Sequence, residues 1–251
     1  ALFVLSGCQS KSDDMPLRVG MELKYPPFET KDENGKPAGA SVMLAEALGE
    51  YLGREIEIVE TDYSSLIPAL EQGNIDLIIS SMTITPAREE VVDFSDPYTN
   101  SQLMMLVHKD SKVQSPDDLN DPEVIIASKT GTIGALWAAQ YAPNAQVRNI
   151  DEEASAVLEV AQGKADVFIY DPLSIIRHHN NYPETTRAVL EPLPNTKGWG
   201  IALRKGEDEL KSKINAFIKE AKTDGTYDTI RETYLKEKVD EFKLYGLEFF
   251  F

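Results

Sequence analysis

Short apolar strand patterns alternate with amphipathic helical patterns along most of the chain, and that alternation leaves few folds open. Leu17-Arg18-Val19-Gly20 reads as a first strand. From Gly39 to Leu52, apolar residues recur at helical spacing (Val42, Met43, Leu44, Ala47, Leu48, Leu52), and Gly53 supplies a stop. Glu55 to Val59 alternates like a strand, Tyr63 to Gln72 reads as a short helix ending at Gly73, and Ile75 to Ile79, apolar but for Asp76, reads as a buried strand. A second unit of the same kind follows. Val124–Ala127, Gln146–Arg148 and Asp166–Tyr170 are its strands. Thr132–Ala139, Asp151–Gln162 and the stretch from Pro172 to His179 are its helices, with Asp151 the expected cap of the middle one and Gly163 its stop. The units are joined by Asp96 to Ser101, and the chain returns through Lys197 to Leu203 before two last helices, Glu207–Thr223 and Tyr227–Leu235.

The expected fold is therefore α/β with two lobes, each a mostly parallel sheet flanked by helices. Residues 16–98 and 200–251 form lobe 1, 101–197 form lobe 2, and 97–101 with 197–200 make a two-strand hinge. A ligand cleft belongs where the carboxyl ends of both sets of strands face each other.

Composition narrows the chemistry. Among 251 residues, 42 are acidic and 25 basic, a net charge of −17 that repels phosphate backbones and argues against nucleic acid. No run of 18 apolar residues is present, so no membrane span is expected. Three histidines and one cysteine cannot build a Cys₂His₂ zinc site, an iron–sulfur cluster or an internal disulfide, and no metal or cofactor is expected. The cysteine ends a short apolar run, Ala1 to Gly7, that reads as the tail of a secretory signal peptide. Leu5-Ser6-Gly7-Cys8 resembles the bacterial lipoprotein box, in which the cysteine is lipidated. Residues 1–15 then comprise signal remnant, lipobox and a polar tether, and the body sits outside the cytoplasm on a lipid anchor.

The loops after the strands carry the functional candidates. Pro26 and Pro27 hold Tyr25 rigidly, and Tyr63 follows the second strand; the two can wall a ligand or can be ordinary core residues. Ser80-Ser81-Met82-Thr83-Ile84-Thr85 leads into Pro86 and Arg88, a guanidinium beside hydroxyls that suits a carboxylate or a surface salt bridge. Lys129-Thr130-Gly131-Thr132-Ile133-Gly134 joins a strand to a helix. Its free N–H groups and the Thr132 hydroxyl make an anion nest, too short for a Walker loop and without dinucleotide spacing. Asp171, before Pro172, can cap the next helix or accept an ammonium group. Two anion grips, one cation acceptor, hydroxyls and aromatic walls together complement an α-amino acid.

At these residues the chain resembles the extracytoplasmic solute-binding proteins of polar amino-acid ABC importers, the family of the glutamine- and histidine-binding proteins. The matching pieces are Tyr25-Pro26-Pro27-Phe28-Glu29, Leu66 to Leu70, Gly73-Asn74-Ile75-Asp76, Thr83-Ile84-Thr85 with Arg88, Asp93 to Tyr98, Lys129 to Thr132, Gly163 to Asp166 and Gly200-Ile201-Ala202. The resemblance implies a two-lobed periplasmic-binding fold, most simply a monomer, that captures a free amino acid and delivers it to a membrane permease. It implies Tyr25 and Tyr63 as aromatic walls, Ser81 and Thr83 as polar partners with Met82 between them, Arg88 as carboxylate clamp, Thr132 as second carboxylate donor and Asp171 as ammonium acceptor. Ile133 stands where many relatives have a hydroxyl residue, so only its N–H can serve.

Glu22 stands where relatives place an acid that meets the ligand side chain, and Lys129 where glutamine-binding relatives place a lysine. An acceptor beside a donor suits an amide, so glutamine is expected first and a basic amino acid second. The competing reading is a Glu22–Lys129 ion pair across the cleft. Two alternatives in function are a cyclohexadienyl dehydratase-like enzyme on the same fold, with Glu22 or Asp171 as general acid, and an amino-acid sensor. The tail Leu247-Glu248-Phe249-Phe250-Phe251 has no role legible here and reads as appended sequence or a disordered end.

Overall fold

The structure, a computed structural model, describes residues 15–251, so Cys8 and the lipobox lie outside the described residues. Strand β1 (Leu17–Met21) leads through a small hairpin, β2 (Thr30–Lys31) and β3 (Pro37–Ala38), to helix α1 (Ala40–Leu52), which Gly53 closes in the left-handed region as expected. Next come β4 (Ile56–Glu60), α2 (Leu66–Glu71), β5 (Leu77–Ile78), the single turn α3 (Pro86–Glu89) and β6 (Asp93–Phe94). The second lobe runs β7 (Met104–His108), β8 (Ile125–Lys129), α4 (Ile133–Tyr141), β9 (Gln146–Ile150), α5 (Glu153–Ala161), β10 (Val167–Tyr170), α6 (Pro172–Asn181) and β11 (Thr186–Val189). The chain returns as β12 (Ala202–Leu203) and ends in α7 (Asp208–Ala221), α8 (Thr226–Ile230) and α9 (Lys236–Leu244).

Each lobe holds a five-stranded sheet of the same plan: β4-β1-β5-β12-β6 in the first and, read from its other edge, β9-β8-β10-β7-β11 in the second. Three strands in each are parallel neighbours. The strand that follows a crossing, β7 or β12, enters antiparallel between the third strand and the last. Mostly parallel sheets need both faces covered, and the buried apolar strands β1, β7 and β10 meet that demand under their helices. Among the described residues no helix is long and apolar enough to cross a membrane.

Several expectations shift. The third strand is Leu77–Ile78 alone, because the Asn74 and Ile75 N–H groups turn back to the Ala69 carbonyl at the end of α2. Asp151 does not cap α5; it accepts a hydrogen bond from Thr130 Oγ1 at 2.9 Å, and the helix starts at Glu153 behind Glu152. The helix expected to stop at Leu235 continues through a π turn at Arg231–Leu235 into α9, whose charged face buries only Phe242 and so hides its period. The tail is not a disordered end. Phe251 is buried, Phe249 stacks on Phe250 at 5.0 Å, and the Phe250 carbonyl accepts from Asn100 N–H at 2.9 Å.

Candidate functional site

A small cavity between the lobes is lined from lobe 1 by Glu22, Tyr25, Glu29, Tyr63, Ser80, Ser81 and Thr83, from lobe 2 by Leu103, Thr132, Ile133, Tyr170 and Asp171, and from the return crossing by Trp199. Seven expected site residues meet in this wall beside Glu22: Tyr25, Ser81 and Thr83 from the loops after β1 and β5, Tyr63, Thr132 and Ile133 at helix starts, and Asp171 at the end of β10. Asp171 ends β10 and opens α6. Its Oδ1 accepts from the N–H groups of Leu173 (2.9 Å) and Ser174 (3.1 Å), which is helix capping. Its Oδ2 is buried beside the Tyr25 hydroxyl, which draws on the carboxylate, and neither atom has a hydrogen-bond partner elsewhere in the wall. Burial holds the Asp171 carboxyl above its usual range and drives Tyr25 far above its own. The capping reading of Asp171 is met by Oδ1, and Oδ2 is the oxygen turned to the Tyr25 side of the wall.

Three expected residues stand behind the wall. Arg88 is buried on α3, where Thr85 caps the turn and Pro86 fills its first position. Its guanidinium donates to the Thr83 carbonyl at 2.6 Å, to the Tyr63 hydroxyl at 3.3 Å and, across the gap between lobes, to the Gly131 carbonyl at 3.0 Å. Lys129 pairs with Glu22 in a buried ion pair that also spans the lobes, and both it and Arg88 lie over the Tyr63 ring, at 5.7 and 5.8 Å from its centre. Met82 belongs to the lobe 1 core cluster with Leu66, Leu70 and Ile75 and does not line the cavity. Thr132, at the start of α4, donates its hydroxyl to the Lys129 carbonyl at 2.7 Å and does not cap the helix with its side chain.

Ser81 occupies the left-handed region (φ 48°), unusual for a side-chain-bearing residue and the mark of a position held by its surroundings. Its N–H donates to the Tyr98 hydroxyl at 3.2 Å and its hydroxyl lies 2.9 and 3.0 Å from the two Glu29 oxygens. Burial, and secondarily the nearby Glu22 charge, push the Glu29 carboxyl up to about 8 against the pull of the serine hydroxyls.

The model of the bacterial extracellular solute-binding proteins, family 3, matches residues 17–237. This chain belongs to that family. Among its relatives, the L-cystine-binding protein TcyJ of Escherichia coli is 30% identical over 220 residues, covering 87% of this chain and 82% of the relative. The L-arginine-binding protein of Pseudomonas aeruginosa is 32% identical over 262 residues, covering 98% and 95%. A solved structure of an ancestral amino acid-binding protein, described as a precursor of cyclohexadienyl dehydratase, is 37% identical with a TM-score of 0.73, covering 88% of this chain and 95% of that one.

Within this solute-binding protein, sequence reading missed Glu29, Ser80, Leu103, Tyr170 and Trp199 as wall residues. Glu29 and Ser80 lay inside quoted segments with no cue to their direction. Tyr170 precedes Asp171, and a strand-end aromatic next to a candidate acid was the one available signal. Trp199 and Leu103 enter from the crossings, whose approach to the cleft is a product of the assembled lobes.

Proposed function

We propose that this family 3 protein captures one free L-amino acid between its lobes, hinging at residues 97–101 and 197–200, and delivers it as a monomer to the permease of an ABC importer. Asp171 carries the reading: its buried carboxylate oxygen, beside the Tyr25 hydroxyl, lines a cavity, and the buried guanidinium of Arg88 stands behind the wall on the opposite lobe. An ammonium group on Asp171 Oδ2 and a carboxylate on Arg88 and the Ile133 N–H satisfy both. The names of the cystine- and arginine-binding relatives support the same ligand class. They also favour binding over dehydration.

Charge supports a neutral polar side chain, glutamine first. Lys129 already neutralises Glu22, and a Glu29 carboxyl titrating near 8 is mostly protonated at neutral pH. That leaves Arg88 and Asp171 as the uncancelled pair, which a zwitterion balances. A basic amino acid is the second reading, favoured by an adjoining mouth that reaches the cavity at Glu22 and Tyr63, where Asp62, Asp151 and Glu152 outnumber Lys24, which pairs with Asp62 and Glu152.

Isothermal titration with each of the twenty amino acids tests this. Arg88→Ala and Asp171→Ala are each expected to weaken the bound ligand by more than about 2 kcal/mol, since each strands a buried charge. Normal binding by either variant places the site elsewhere. Lys129→Met is expected to favour lysine and arginine over glutamine; the reverse order removes the neutral-ligand reading. Outside the described residues, Cys8 is proposed as the lipid attachment, and mass spectrometry of the membrane-bound protein against Cys8→Ser checks it.

A further inference from the structure

We infer that the aromatic tail at Phe249–Phe251 is a brace on the hinge, with Phe250 the positioning residue that holds Trp199 as the rear wall of the ligand cavity. The inference rests on the amino-acid reading of that cavity. Trp199 lines the cavity from the second crossing, and Phe250 meets it edge to face at 5.2 Å. Phe28 packs against Trp199 at 4.9 Å and against Phe250 at 5.9 Å, and it stacks under the wall residue Tyr25 at 5.5 Å. The tail therefore backs an aromatic cluster of which Tyr25 and Trp199 line the cavity and Phe28 lies behind them.

The tail also ties both crossings. The Phe250 carbonyl accepts from the N–H of Asn100 on the first crossing, while the Phe250 ring touches Trp199 on the second. Phe251 stacks on Tyr227 at 5.1 Å, and its carbonyl accepts from Arg231 Nε at 2.8 Å. Tyr227 in turn donates to the Tyr98 carbonyl at 2.8 Å, and the Tyr98 hydroxyl receives the N–H of Ser81 in the cavity wall. Just before the tail, Tyr245 donates to Asn180 on α6 of lobe 2 at 3.0 Å, and Leu247 packs against the cores of both lobes. The segment thus ties the lobes on the tail side, apart from the two crossings and from the contacts across the cleft. Three rings in sequence supply contact area with few rotatable bonds, which suits a brace better than aliphatic side chains do. By fixing the crossings it sets how much of the population holds the ligand-ready geometry.

The test uses the full chain in a Trp137→Phe background, which leaves Trp199 as the only tryptophan. Phe250→Ala is expected to red-shift Trp199 emission and raise its acrylamide quenching. It is expected to raise the Kd of whichever amino acid binds the parent by about tenfold, the scale of one lost aromatic pair. All readings are taken well below both melting temperatures. Phe250→Tyr is expected to restore emission and Kd together. If Phe250→Ala does not fold, Phe250→Leu, which keeps apolar volume without the ring, takes its place with the same expectations. Unchanged Trp199 emission overturns the brace, and so does a Kd within twofold of the parent despite a lowered melting temperature. If no amino acid binds the parent, the functional reading fails and the emission readout alone decides whether the tail holds Trp199.

Discussion

Glu29 shows how one side chain couples this site to pH. It is 1% exposed, with both oxygens on the Ser81 hydroxyl, and it titrates near 8 against 4.5 for the free group. Between those values the folded protein keeps a proton that the unfolded chain has released. Stability contributed by the protonated form is full below about 4.5 and falls as pH rises, by up to about 1.4 kcal/mol per unit, levelling above 8. Glu29→Gln is expected to flatten that slope in chemical denaturation between pH 5 and 8 and to exceed the parent in stability at the alkaline end. A parallel slope in both proteins counts against the buried acid. Asp171 and Arg88 were legible from sequence because strand ends and helix starts fix where such groups sit. Glu29 was not: the Tyr25–Glu29 bridge that folds its loop inward joins residues around two prolines, and no period marks its direction.

At the scale of elements, two glycines show where backbone must approach backbone. A Cβ on Gly198 would stand 1.8 Å from the Thr99 carbonyl oxygen, so the two crossings lie together only with glycine there. Gly198→Ala is expected to destabilise by more than about 2 kcal/mol, read as a lowered denaturation midpoint with an unchanged slope. Gly131 has φ 76°, and its Cβ would meet Ser64 of the other lobe at 3.3 Å. Gly131→Ala is expected to destabilise the fold by the roughly 1–2 kcal/mol that a left-handed alanine costs, read by chemical denaturation. The helices with an apolar face and a glycine stop, such as α1, were readable with small errors at their ends. The two-residue strands β6 and β12 were not outlined and β5 was outlined too long, since their pairing comes from neighbours far away in sequence.

For the whole molecule, two lobes and two crossings followed from the alternation of patterns, but their mutual contacts did not. The Arg88–Gly131 bond and the Lys129–Glu22 pair join residues 43 and 107 positions apart across the gap. Such contacts exist only once the lobes face each other, and no local pattern encodes them. They also mean that a ligand favouring the closed arrangement stabilises the entire fold. At a hundred times its Kd, a bound amino acid is expected to add about 2.7 kcal/mol and to raise the melting temperature as its concentration rises. A melting temperature indifferent to every amino acid contradicts capture between the lobes.

The insertion of β12 beside β5 has a consequence for how the chain matures. Every strand of the second sheet lies between residues 104 and 189, an uninterrupted stretch, whereas the first sheet needs strands from both sides of it. During synthesis the earlier sheet must wait, missing an inner strand, until the middle segment has emerged and the polypeptide has doubled back. The second lobe is therefore the natural first unit of assembly, and the lobe that starts first is completed last.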